Sequence, residues 1–255
     1  ALGVIAAGLG TVAVPSIMEE DFTAITFLTL AASQFRDVRN MERNTLTVLD
    51  GFELVPRGST YIEGIAIAFE SRNYLVIFTS LLTTFAYLVV NFYAAIIVGA
   101  ICFFISRKLM AGSRIKDLVT IEYVEPHFEG AGLYVGNIYI MNIGIPDKQE
   151  AVLKYGMGFV LTPKNFNSST TIANLGQRQA ILHDVSTALG VVRDSGEPSL
   201  VPLAKRDLND GRLGVFVLPQ DRNVEKAMRV IGEVPTLENA IRMPSEAKAN
   251  RRGGI

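Results

Sequence analysis

The stretch NYLVIFTSLLTTFAYLVVNFYAAIIVGAICFFIS, from Asn73 to Ser106, holds no Asp, Glu, Lys or Arg. It is well beyond the roughly 20 apolar residues that a helix needs to cross the hydrocarbon core of a bilayer. As one helix it would extend about 50 Å at about 1.5 Å per residue, far more than a core of roughly 30 Å. The flanks decide between one span and two. Arg57 and Arg72 precede the stretch, and Arg107, Lys108, Arg114 and Lys116 follow it. Basic residues at both ends place both ends on the cytoplasmic side. The pattern therefore predicts a transmembrane hairpin over 73–110 that reverses near Asn91. Each arm is short, which calls for a thinned bilayer or burial among other helices.

Working toward the start of the chain, residues 1–18, ALGVIAAGLGTVAVPSIM, are also free of charge. Gly3, Ala7 and Thr11 recur at four-residue spacing, as do Ala6 and Gly10, a pattern that lets membrane helices approach closely. A membrane helix is expected here. It lacks the basic leading region of a cleavable signal, and a chain that begins at Ala1 leads us to expect further sequence upstream. After Glu19, Glu20 and Asp21, the apolar residues Phe22–Phe35 are too few for an ordinary span. They read as a re-entrant or interfacial helix, or as the start of a longer one, and close an N-terminal membrane region over 1–35. Residues 36–72 read as a helical juxtamembrane region on the cytosolic side, where Arg36, Arg39 and Arg43 share one helix face.

Composition excludes several classes. Cys102 is the sole cysteine, so a disulfide scaffold cannot form. With two histidines, a Cys/His zinc site cannot be assembled, and no metal or cofactor is expected. A net charge of −1 gives no pull toward nucleic acid. The 49% hydrophobic content excludes intrinsic disorder.

Beyond Gly112 the chain becomes mixed in charge and punctuated by Gly, Pro and Asn. LVTIEYV (118–124), LYVGNIYIM (133–141), GFVLT (158–162) and LGVFVLP (213–219) read as strands. Asn174, followed three residues later by Gln177, resembles a capping box. It opens a helix near 175–193, with Ile181, Val185, Ala188 and Val192 on one face. A second helix is expected near 223–232. Interleaved strands and helices make residues 112–244 an α/β or α+β cytoplasmic domain, followed by a flexible tail over 245–255.

Two strings adjoin in the juxtamembrane region. LVPRGS (54–59) is identical to the thrombin-recognition sequence of engineered fusions, but it has neither a tag nor a Gly/Ser linker beside it and reads as native. It runs into Tyr61-Ile62-Glu63-Gly64-Ile65-Ala66. That hexapeptide, with QFRDVRNMERNTL (34–46) and NLGQRQAILHD (174–184), resembles the YIEGIA family of membrane proteins from endospore-forming bacteria. The resemblance implies an inner-membrane protein with a cytoplasmic C-terminal portion and a role in sporulation. It carries over no catalytic residue.

The residues offer weak chemistry of their own. Glu63 and Glu70 share a helix face at the edge of the apolar stretch, and ionisable groups at membrane depth are often functional. Asp184 follows His183 on the expected helix, where neighbours do not face each other. Glu125, His127 and Glu129 would share a face if extended, although Pro126 points to a loop. The polar run at 165–179 ends at a helix N-terminus, where an anion or nucleotide phosphate could sit among Lys164, Ser168, Ser169, Asn174 and Arg178.

These readings converge on a multi-pass protein of the cytoplasmic membrane with a cytosolic sensing or docking domain. Its expected partners are the lipid bilayer, another protein, an anionic or nucleotide ligand, and a second copy of itself. The alternative is a membrane-tethered, carboxylate-based protease using Glu63 or Asp184 at the membrane–cytosol boundary.

Overall fold

The structure, a computed structural model, describes residues 2–110, 112–194, 197–198 and 200–237. The end of the expected domain at 244 and the tail over 245–255 lie outside those residues. The chain divides into two compact units, Ala1–Leu46 with Ile65–Gly112 and Thr47–Gly64 with Ser113–Ile255.

The first unit is helical, built from α1 (Leu2–Met18), most of α2 (Phe22–Asp50), most of α3 (Ser59–Val89) and α4 (Phe92–Met110). α1 stops at the acidic triplet, where Glu20 adopts φ 56°. The Asp21 carboxylate then accepts hydrogen bonds from the Thr23 and Ala24 amides and starts α2. Phe22–Phe35 is the first half of α2, with no Gly or Pro to stop the helix before Gly51.

The charge-free stretch divides at Val90–Asn91. The Asn91 side chain accepts from the Ala94 amide and caps α4. α3 and α4 are antiparallel: Gly99 lies beside Thr83, while Thr79 Oγ1 meets Ser106 Oγ at 3.4 Å. α1 packs on α3 around Ser80. Ser80 Oγ donates to the Ala7 carbonyl at 2.5 Å and lies 2.7 Å from Thr11 Oγ1. A side chain on Gly10 would collide with the Ile77 carbonyl, so the small residue sets the approach. Gly3, expected on the same face as Ala7 and Thr11, looks onto open space.

Among the described residues, α3 and α4 are the helices long and apolar enough to cross a membrane. Their mean hydropathies are 1.3 and 1.7, and 11% of each apolar stretch is buried. α1, an apolar helix of 17 residues, is shorter.

The second unit is a sheet-containing α/β domain. Its elements are α5 (Ile115–Leu118), β1 (Val119–Val124), β2 (Pro126–Glu129), β3 (Gly132–Val135), β4 (Ile138–Asn142), α6 (Pro146–Tyr155), β5 (Met157–Pro163), α7 (Phe166–Ala173) and α8 (Leu175–Leu189). β6 (Arg193–Asp194), β7 (Glu197–Pro198), β8 (Leu203–Arg206), β9 (Leu213–Val217) and α9 (Val224–Glu233) complete it. A four-stranded sheet in the order β1-β5-β9-β8 lies beside a three-stranded sheet β2-β3-β4, and β6 pairs with β7. Every pairing is antiparallel.

Core residues of β5 and β9 are apolar almost without interruption because both faces of the larger sheet are covered. Met157, Phe159, Leu161, Leu213, Val215 and Val217 meet a core shared with Ile181 and Val185 of α8 and with Ala227 and Ile231 of α9. Val160 and Phe216 face the other way, onto Leu133, Val135, Ile138 and Ile140 of the small sheet. Glycine is required at this second contact. A Cβ on Gly158 would lie 2.5 Å from the Val124 carbonyl and 2.8 Å from a Val135 methyl.

Three expectations change in detail. LYVGNIYIM is a hairpin, turned at Gly136 with φ 60°, because its apolar residues continue across the turn and hide it. Residues 126–129, expected in a loop, form a strand: Pro126 begins β2 on the edge of its sheet, where a missing amide costs no ladder bond. The helix expected to reach 193 ends at Leu189, with Gly190 at φ 72°, so Val192 lies outside it.

Candidate functional site

The segment after α2 folds back onto α8. Asp50 ends α2 and turns the chain, its carboxylate accepting from the Arg57 amide at 2.6 Å and the Gly58 amide at 3.0 Å. Gly58 has φ 77°, a left-handed conformation that glycine adopts without strain. Val55 enters the helix-side core. Its carbonyl lies 2.7 Å from His183 Nδ1, and the Pro56 carbonyl accepts from Gln179. Since a carbonyl only accepts, Nδ1 carries the hydrogen. Tyr61 meets the His183 ring edge-on at 6.3 Å, and the Gly176 backbone lies against Thr60. LVPRGS is thus an integral part of the domain.

Asp184 is half-buried beside this segment. Burial holds its carboxyl above the usual carboxylate range, against the opposing charges of His183 and then Arg57. The folded chain holds the proton more tightly than the unfolded chain does. The group's contribution is therefore complete below the ordinary carboxylate value and is lost as pH rises through the raised one. Asp184→Asn is expected to flatten that loss, seen as a smaller fall in unfolding midpoint between pH 4 and pH 7 than in the wild type. An identical pH profile would mean that water already solvates the folded carboxylate.

Glu63 is half-buried on α3 between buried Ile62 and Gly64. In the first unit, Glu70 accepts from Arg39 at 2.9 Å and from the Tyr74 hydroxyl at 3.1 Å. His127 Nε2 lies 4.0 Å from Glu129, and its ring stacks on Tyr134. Glu125 lies 3.8 Å from Arg222 instead. Among the described residues, no three His, Cys, Asp or Glu side chains group as metal ligands.

The five residues considered for an anion separate. Lys164 Nζ donates to the carbonyls of Lys116 and Asp117 and closes α5. Ser168 donates through its amide and hydroxyl to Asn165, the cap of α7. Asn174 accepts from the Gln177 amide, but the expected capping box is only half formed. Gln177 is fully buried and satisfies its side chain on Pro235 and Leu237.

Arg178 and Ser169 do come to one place. Arg178 borders a cleft of about 730 Å³ with Asn137, Tyr139, Lys205, Arg206 and Asp207, and Arg206 Nη2 donates to Ser169 Oγ at 3.4 Å. Lys205 and Arg206 escape the sequence reading because β8 is short and half polar. The adjacent Lys-Arg pair is the signal that could have found them. A second cleft, of about 520 Å³, runs along Leu54, Val55, Ser186 and Gly190. There the buried Ser186 hydroxyl has no partner among the described residues.

A helical region with two long apolar helices, joined to an α/β domain that carries a basic cleft, defines the class. The chain belongs to the YIEGIA family, whose profile, described as YIEGIA protein, matches residues 1–247. It is 68% identical over 251 residues to a Bacillus subtilis (strain 168) protein described as "Uncharacterized protein YphB", a match covering 98% of this chain and 84% of that protein. No solved structure matches it.

Proposed function

We propose that the chain is a multi-pass protein of the cytoplasmic membrane whose α/β domain lies in the cytosol and senses or docks a partner during sporulation. One observation carries the membrane placement. α3 and α4 are strongly apolar, yet 11% of each apolar stretch is buried. A soluble core helix would cover that surface, because exposing apolar area to water costs about 25 cal/mol per Å². Phe78, Phe85, Ile97, Ile101 and Phe104 are more than half exposed, or half exposed in the case of Phe85. Tyr87 and Tyr93 flank the turn between the helices, while Arg107 and Lys108 occupy the last turn of α4. Interfacial tyrosines at one end and basic residues at the other suit a hairpin inserted from the cytosol. The sporulation role rests on the family resemblance.

Cysteine labelling tests the placement. In a Cys102→Ser background, Val90→Cys is expected to react with an impermeant maleimide on intact cells. Glu225→Cys, on α9, is expected to react only after permeabilisation. Labelling of Glu225→Cys in intact cells would overturn the cytosolic placement, and extraction of the chain by alkaline carbonate would overturn the membrane reading.

A second reading, the membrane-tethered protease, is favoured by the raised Asp184 carboxyl. Lost proteolysis at unchanged protein level in Asp184→Asn or Glu63→Gln would support it, and retained turnover in both would remove it.

A further inference from the structure

The cleft at the end of β8 gathers cations without anions to match. Arg178 comes from α8, and Lys205 and Arg206 from β8. None of the three forms an ion pair among the described residues. Asp207 is the acidic residue on the cleft wall, and its carboxylate accepts from the Asn209 amide at 2.8 Å. The neighbouring Arg212 is already neutralised by Asp210 at 2.5 Å and donates to Asn137.

Arg178 is the informative member. Its Nη1 makes one long bond, 3.4 Å, to the Ala204 carbonyl. Its Nε is buried and has no partner among the described residues. Burial first, and the charge of Arg206 second, pull the Arg178 guanidinium below the usual arginine value. A half-buried guanidinium held beside another cation is costly unless something negative completes it. Guanidinium groups offer several N–H donors in a fixed fork, which matches the oxygens of a phosphate. Nearby, Ser169 Oγ adds a hydroxyl, and Lys205 lies 4.6 Å above the Tyr139 ring. The cleft volume of about 730 Å³ far exceeds that of a bare phosphate and leaves room for an organic portion along Tyr139.

We infer that the cleft between α8 and β8 binds the phosphate of a phosphorylated small molecule, held by Arg178 and Arg206 with Lys205 at the rim. This names a ligand for the domain proposed above to sense. It rests on that sensing reading but not on the membrane placement, which the labelling experiment addresses separately.

Calorimetric titration of the full chain in phosphatidylcholine nanodiscs, with inorganic pyrophosphate and with ADP as probes, provides the test. A parallel arm uses nanodiscs containing phosphatidic acid, with hydrogen exchange of α8 and β8 as the readout. The wild type is expected to bind at least one soluble probe saturably. Arg206→Gln, a change at an exposed side chain, is expected to weaken that binding about tenfold or more, as is Arg178→Gln. Lys164→Gln, whose ammonium is occupied at α5, should bind like the wild type. Protection that appears only with phosphatidic acid and disappears in Arg206→Gln would keep the phosphate site and assign its ligand to a lipid headgroup. Binding in no arm, or binding that is unchanged in Arg206→Gln, overturns the inference.

Discussion

Replacing His183 with alanine is expected to expose the Arg57–Gly58 bond to thrombin. LVPRGS supplies the protease's recognition sequence, yet the folded segment withholds it. The scissile Gly58 amide and the Arg57 amide before it are both clasped by Asp50. Val55 is buried, and its carbonyl is bonded to His183 at 2.7 Å. Cleavage must await local opening, so its rate follows the population of the open state. His183 is 6% exposed. Removing its ring leaves a cavity and a carbonyl without its donor, at a cost of about 2–4 kcal/mol. If that cost falls on the local opening, cleavage should accelerate about thirtyfold or more. Gel densitometry of the full chain under a fixed thrombin concentration reads this directly. Equal rates for His183→Ala and wild type would show that the segment is not held by α8.

The second large effect is expected at Gly158. An alanine there must place its methyl 2.5 Å from the Val124 carbonyl and within 2.9 Å of both Val135 methyls. Val124 is its register partner in β1, so that carbonyl cannot turn aside without breaking the ladder. Val135 belongs to the small sheet and is fully buried. Overpacking of this kind costs about 3 kcal/mol, and relief requires one sheet to move off the other. Gly214→Ala is the graded comparison. Its methyl would meet side-chain carbons of Ile138 and Ile140 at 3.0–3.2 Å, and these can shift. Hydrogen exchange of the β5 amides should show large loss of protection in Gly158→Ala and a smaller loss in Gly214→Ala. The reverse order would contradict the described packing of the two sheets.

Legibility in the sequence followed the reach of each signal. β1, β5 and β9 were readable because β-branched and aromatic residues concentrate in them, and the cap at Asn174 because its partner is three residues away. The β3–β4 turn was obscured by apolar residues on both sides, and β8 by its polar half. At the candidate cleft, Arg178 and the neighbouring Ser169 were visible, but Lys205 and Arg206 were not. Local pattern marks Lys164 and Asn174 as available donors and acceptors. It does foresee the Gln177 amide on Asn174, but not that the carbonyls at 116 and 117 already engage Lys164. The cluster of Arg178 with Arg206 depends on a strand and a helix meeting across intervening chain, which no periodicity encodes. Likewise, the docking of Val55 on His183 joins residues far apart in sequence.

β8 forms one border of the four-stranded sheet, where unpaired backbone groups invite an additional strand. Lys205 and Arg206 stand on that border, and both are exposed. Their charge guards the open side against fibril-like stacking of neighbouring molecules. Replacing both with apolar residues would leave an uncharged sheet edge of the kind that pairs between molecules, so solubility alone favours charge at this border.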